Sequence, residues 1–141
     1  MAKTDFDTPV IFGALCDDGP TAPNGIERMI RLKKQGAVLL PFHVEARHLG
    51  NVLRCMQLMD VAGLLILGSH RKRVTRHLKS LHPSARAKGM VDVIIRKGRG
   101  FKGYCAEQIA LSMTPSPSAR KIADLTRKIS VELLTGRFSS K

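Results

Sequence analysis

The sequence predicts an α/β fold: a three-layer α/β/α sandwich around a mostly parallel sheet, with a C-terminal helix packed on the domain. Three observations carry that expectation. Short apolar runs at residues 9–15, 37–44 and 63–67 alternate with segments of helical periodicity, as βαβ units require. The 63–67 run, GLLIL, is apolar at every position, the pattern of a parallel strand covered on both faces. At 141 residues and 15.5 kDa the chain has the size of one domain with one core.

The elements follow in order. Residues 9–15 (PVIFGAL) read as a buried strand closed by the turn-formers Asp17, Asp18, Gly19 and Pro20. Ile26, Met29 and Ile30 recur at helical spacing ahead of Lys33 and Lys34, with Asn24 available as N-cap and Gly36 as a stop. Residues 37–44 (AVLLPFHV) read as a second strand. Its Pro41 suits an edge, because proline has no N–H to give to a ladder. Leu49, Val52, Leu53, Met56 and Met59 fall at i, i+3, i+4, i+7 and i+10 with polar residues between them, which predicts an amphipathic helix.

After the third strand come Gly68 and Ser69, then a basic helix with Val74, Leu78 and Leu81 on one side. Residues 91–95 read as a strand that turns at Lys97-Gly98-Arg99-Gly100 into a short return over 101–104. Residues 106–113 suit a helix, and TPSPS at 114–118 reads as a linker. Ile122, Leu125, Ile129, Leu133 and Leu134 mark a last amphipathic helix, closed by Gly136. The expected division is a domain over 1–113, a linker over 114–118, and a helix with its tail over 119–141. The first three strands are expected to run parallel.

Composition narrows the function classes. No apolar run approaches the roughly 20 residues of a bilayer span, and residues 1–7 are polar, so a cytoplasmic protein without membrane contact is expected. Cys16, Cys55 and Cys105 fit neither a disulfide framework nor a CxxC zinc site. His43, His48, His77 and His82 lack metal-ligand spacing, and no metal is expected. The net charge is +13, and between Arg71 and Lys102 eleven Lys/Arg face one acid, Asp92, so that window holds +10 of it. Such a field attracts phosphates, carboxylates or nucleic acid. Aromatics for base stacking are few, with Phe101 and Tyr104 alone in that stretch, which ranks nucleic acid below a small anion.

Four blocks share their order and spacing with a known family. Leu40-Pro41-Phe42-His43-Val44 followed by Leu49 resembles V-P-F-x-V-x-x-x-x-L. The run from Gly63 through Ser69, His70 and Arg71 sits where G-x-N-V-T-x-P-H-K would stand. Ala87-Lys88-Gly89-Met90-Val91-Asp92-Val93 sits over A-x-x-G-A-V-N-T, and Gly103-Tyr104-Cys105-Ala106-Glu107 over G-x-N-T-D. Glu132-Leu133-Leu134-Thr135-Gly136-Arg137 resembles a closing helix that ends in L-W-x-G. With these blocks the chain resembles the substrate-binding domain of the shikimate dehydrogenase family. The family carries a nucleotide-binding domain between the block that ends here at Glu107 and this closing helix. Here about twenty residues stand there without a GxGxxG, too few for the roughly thirty of a βαβ unit. No cofactor is therefore expected on this chain, and NADP only where a partner domain supplies its site.

The resemblance implies site residues. The family's catalytic Lys and Asp fall on Arg71 and Glu107, with Lys72 one residue further on. Its substrate-contacting positions fall on or beside Thr21, Ser69, His70 and Asp92. Its hydroxyl-binding Asn and Thr on the third strand become Leu65 and Leu67, and a further Thr becomes Val93. An arginine keeps its proton at any workable pH, so Arg71 suits anion binding and not general-base work. The expectation is a stand-alone, catalytically degenerate module for a small shikimate- or quinate-like carboxylate. The alternatives are one component of a split shikimate or quinate dehydrogenase, or a basic nucleic-acid binder. A homodimer is an expected way to cover sheet edges and apolar surface.

Overall fold

The computed structural model describes residues 10–17, 25–115 and 118–138. Its strands are β1 (Val10–Cys16), β2 (Ala37–His43), β3 (Val61–Ile66), β4 (Ser80–Leu81), β5 (Val93–Lys97) and β6 (Gly100–Tyr104), in one sheet ordered β2-β1-β3-β5-β6-β4. β1 pairs in parallel with β2 and β3, and β4 with β6, whereas β5 is antiparallel to both β3 and β6. The first three strands run parallel as the sequence predicts, and Pro41 sits on the edge strand β2.

Alternation along the strands gives the sheet two apolar faces. Leu64 and Leu65, neighbours in β3, enter different cores. On one face α1 (Ile26–Lys33), α5 (Ala106–Met113) and α6 (Ala119–Leu134) bury Ile30, Ile109, Ile122, Ile129 and Leu133 against Phe12, Ala14, Leu65 and Val93. On the other, α2 (Leu49–Leu58), α3 (His70–Arg73) and α4 (Pro83–Lys88) set Leu49, Leu53, Met56 and Ala85, with Val74, against Leu15, Leu64, Ile66 and Ile94. The outcome is the three-layer sandwich, and α6 packs on it as the expected C-terminal helix.

Two close approaches hold the layers in register. A Cβ on Gly63 of β3 would meet Leu134 of α6 at 2.8 Å and the Ile94 carbonyl at 2.9 Å, so only glycine lets α6 settle on the strand. Arg96 of β5 donates to the Met56, Met59 and Val61 carbonyls at 3.0, 2.7 and 3.0 Å, which ties the C-terminal end of α2 to the sheet.

Three local expectations need correction. The basic helix expected through Leu81 is a single turn, α3, followed by a 3-10 turn over Val74–His77; the chain is extended from Leu78 and pairs as β4. Thr75 donates its hydroxyl to the Lys72 carbonyl at 2.8 Å, a local bond that competes with the helix ladder. Leu81 pairs with Gly103 of β6, and Leu78 and Leu81 both pack on the second core in place of a helical face. The helix α4 was not foreseen, although Pro83 at its first turn and His82 as its cap are start signals. The residue before α1 is Gly25, at φ 81°, and the expected cap Asn24 lies outside the described residues. The Lys97–Gly100 turn holds as expected, with Gly98 at φ 61°.

Candidate functional site

Parallel strands leave their C-terminal ends facing the loops that follow them, and a cleft of about 620 Å³ opens there. One wall is Leu65, Leu67 and Gly68 at the end of β3, with Asp92 just before β5. The other is Ile122, Ala123, Thr126, Arg127 and Ser130 of α6, with Leu111 of α5. The floor is apolar, and its polar groups are few and converge.

Arg71, in the turn after β3, stands in this cleft and donates its Nε–H to the Gly68 carbonyl at 3.1 Å. Its Nη1 lies 3.9 Å from Glu107 Oε1, and both side chains remain about a third exposed at 38% and 33%. That ion pair is long and solvent-accessible, so it is weak, and the guanidinium keeps donors for another anion. Thr126 Oγ1 is buried and meets no hydrogen-bond partner among the described residues, whereas Ser130 Oγ is bonded to the Thr126 carbonyl at 2.8 Å. Arg127 lies 3.7 Å from the exposed Asp124.

Asp92 is buried and accepts the backbone N–H groups of Ala106 at 2.6 Å and Glu107 at 3.1 Å. It anchors the N-terminus of α5, where a negative group suits the helix dipole. Burial nevertheless pushes its carboxyl above the usual range, against the downward pull of those two bonds and of Arg71.

The structure brings Arg71, Glu107 and Asp92 together at one cleft. Of the other residues named from the sequence, Leu65 and Leu67 line the cleft as well, whereas Ser69, His70 and Lys72 do not. Lys72 is exposed. His70 is fully buried with Nε2 2.7 Å from the Val44 carbonyl. The Ser69 hydroxyl bonds the Asp17 carboxylate, and Arg73 Nη1 reaches both, at 2.9 Å from Ser69 Oγ and 3.4 Å from Asp17 Oδ2. First the Ser69 bond, and then the nearby His70 and Arg73 charges, hold Asp17 below the ordinary carboxylate range. Thr21 lies outside the described residues.

Sequence reasoning missed the α6 side of the cleft. Ala119, Ala123, Thr126 and Ser130 recur at helical spacing beside the apolar stripe, a small and polar face that was legible but went unread. Asp17 was read only as part of a turn. Among the described residues there is no cluster of metal-ligating side chains, and no helix is long and apolar enough to cross a membrane.

No family model and no curated protein matches the sequence. Solved structures do match the fold. A chorismate mutase/shikimate 5-dehydrogenase fusion protein from Clostridium acetobutylicum superposes with a TM-score of 0.68 at 16% identity, over 87% of this chain and 52% of that one. Shikimate 5-dehydrogenase from Listeria monocytogenes, in complex with shikimate and NAD, gives 0.64 at 16% identity, over 91% and 51%. A 5-ketofructose reductase of a Gluconobacter species gives 0.63 at 17% identity, over 92% and 59%. The chain thus spans about half the length of the proteins it superposes on. At these identities the likeness is one of architecture, and the chain is folded as a shikimate dehydrogenase-like domain.

Proposed function

We propose that this chain is a binding module for a small carboxylate metabolite of the shikimate or quinate kind, with no hydride chemistry of its own. The observation that supports this most is Arg71, a permanently charged group beside the apolar floor of the cleft, anchored through Nε–H on the Gly68 carbonyl while its terminal donors are held only by a long pair with Glu107. A ligand carboxylate would take the open guanidinium donors, its ring would lie on Leu65, Leu67 and Ile122, and a ligand hydroxyl would satisfy Thr126 Oγ1. Arg71 cannot accept a proton, and leucines stand where hydroxyl-binding groups are expected, so turnover has neither its base nor its orienting contacts. Any NADP would have to arrive with a partner domain. The setting expected for such a module is the cytoplasm.

A thermal-shift screen with shikimate, quinate, dehydroshikimate and inorganic phosphate tests this reading. A ligand at 100 times its dissociation constant stabilises the fold by about 2.7 kcal/mol. The expected result is a shift with at least one of the carboxylates that Arg71→Ala abolishes. A shift that Arg71→Ala leaves intact places the ligand elsewhere, and no shift with any carboxylate contradicts the reading.

The half-length match to an enzyme solved with shikimate and NAD favours a second reading, one component of a split dehydrogenase. Its test is reduction of NADP or NAD by shikimate when this chain is mixed with candidate nucleotide-binding domains; a flat absorbance trace counts against it.

A further inference from the structure

We propose that a second cleft, on the opposite helical layer, binds closely spaced phosphate groups. It encloses about 690 Å³ between α2, the Val74–His77 turn and the β5–β6 hairpin. Arg54, His77, Lys79, Lys97 and Arg99 line it, and no Asp or Glu does. All five are exposed, and none is ion-paired with an acid of the described residues. Among the described residues the arginines that do pair with acids all lie outside this cleft: Arg47 with Glu45, Arg71 with Glu107, Arg73 with Asp17, Arg127 with Asp124. Here four permanent cations and an imidazole converge on one concavity from separate elements. Their mutual repulsion is a cost that a multivalent anion removes.

The walls are set in place. Gly50 of α2 lets the His77 ring lie against the helix backbone, since a Cβ there would come within 2.9 Å of His77 Cε1. Arg96 locks the end of α2 to β5, and the two-residue turn at Gly98 presents Lys97 and Arg99 from one hairpin. A single carboxylate would satisfy one or two of these donors, whereas contiguous phosphates satisfy all of them. Phe101 in the lining is buried with the Arg96 guanidinium 5.0 Å over it, which leaves only the small His77 imidazole, itself set against Gly50, for base stacking. Recognition is therefore chiefly of phosphate. That chemistry is carried by an oligophosphate small molecule or by the backbone of a single nucleic-acid strand.

Isothermal titration at about 0.15 M salt with tripolyphosphate, and separately with a mixed-sequence single strand of about twelve nucleotides, distinguishes the two sources. Lys97→Glu with Arg99→Glu is expected to weaken binding at least about tenfold. Arg31→Glu with Lys33→Glu, the same charge change on the exposed side of α1, is expected to weaken it less than about threefold. Arg71→Ala should leave it unchanged, which separates this site from the carboxylate cleft. Binding of tripolyphosphate assigns a small oligophosphate; binding of the oligonucleotide alone assigns phosphodiesters. Failure of both probes to bind, or equal weakening by the two double variants, overturns the proposal.

Discussion

Asp92 ties a helix terminus to the cleft. Its carboxylate satisfies two backbone N–H groups at the start of α5 and lies beside Arg71 and Glu107, so one buried acid supports both a helix terminus and the cleft. Asp92→Ala strands both donors and is expected to cost about 2 to 3 kcal/mol in denaturant unfolding. A loss under about 0.5 kcal/mol, the size of an ordinary surface change, would show that α5 is held by packing alone. His82 offers a titratable counterpart. Its Nδ1 accepts the Ser84 N–H at 3.1 Å to cap α4, and the ring stacks on Tyr104 at a centroid distance of 4.7 Å. Burial, and then the Lys102 charge, hold it below the ordinary imidazole range. Protonation would turn the accepting nitrogen into a donor. Stability from this group is therefore complete above the unfolded pKa of about 6.5 and is lost as pH falls through the lower folded value. The urea midpoint should drop between pH 7.5 and 5, and His82→Asn, which keeps a cap acceptor without a titration, should remove that share of the slope. An identical slope in the variant would contradict the assignment.

At the scale of elements, α6 has two jobs. It closes one core through Ile122, Ile129, Leu133 and Leu134, and its small face forms a wall of the carboxylate cleft. Gly63 is where it touches the sheet most closely, so Gly63→Ala is expected to destabilise by about 1 to 3 kcal/mol through displacement of Leu134 and the Ile94 backbone. Equal stability in chemical denaturation would mean that the helix shifts at no cost. The strands other than β4 were legible from the sequence because burial on both faces leaves short continuous apolar runs, and α2 and α6 because burial on one face imposes a period of 3.6. The segment from His70 to Leu81 was not. Val74, Leu78 and Leu81 fit a helical stripe, yet Thr75 ends the helix locally, β6 pairs with Ser80 and Leu81, and Leu78 packs on the second core, a choice made by tertiary contacts. The site shows the same division. Arg71, Asp92 and Glu107 were nameable because they sit in blocks that resemble a family. Thr126 and Ser130 went unread because a small polar face looks like a solvated one until the end of β3 is placed opposite it.

At the scale of the molecule, a chain of net charge +13 carries two clefts of different character. One has an apolar floor, with Arg71 set against Glu107 and Asp92, and Arg127 on the α6 wall, and the other is cationic on several sides. The architecture is that of a shikimate dehydrogenase-like domain at about half the length of the proteins it superposes on. A carboxylate held between β3 and α6 would join elements distant in sequence, and its binding should leave a mark on both. Amide chemical-shift mapping of the labelled protein, titrated with shikimate and with quinate, tests this directly. The expected result is saturable movement of the Gly68, Arg71, Glu107, Thr126 and Ser130 resonances together, absent in Arg71→Ala. Resonances that stay still in both α6 and the turn after β3, or that move only around Lys97 and Arg99, would contradict it.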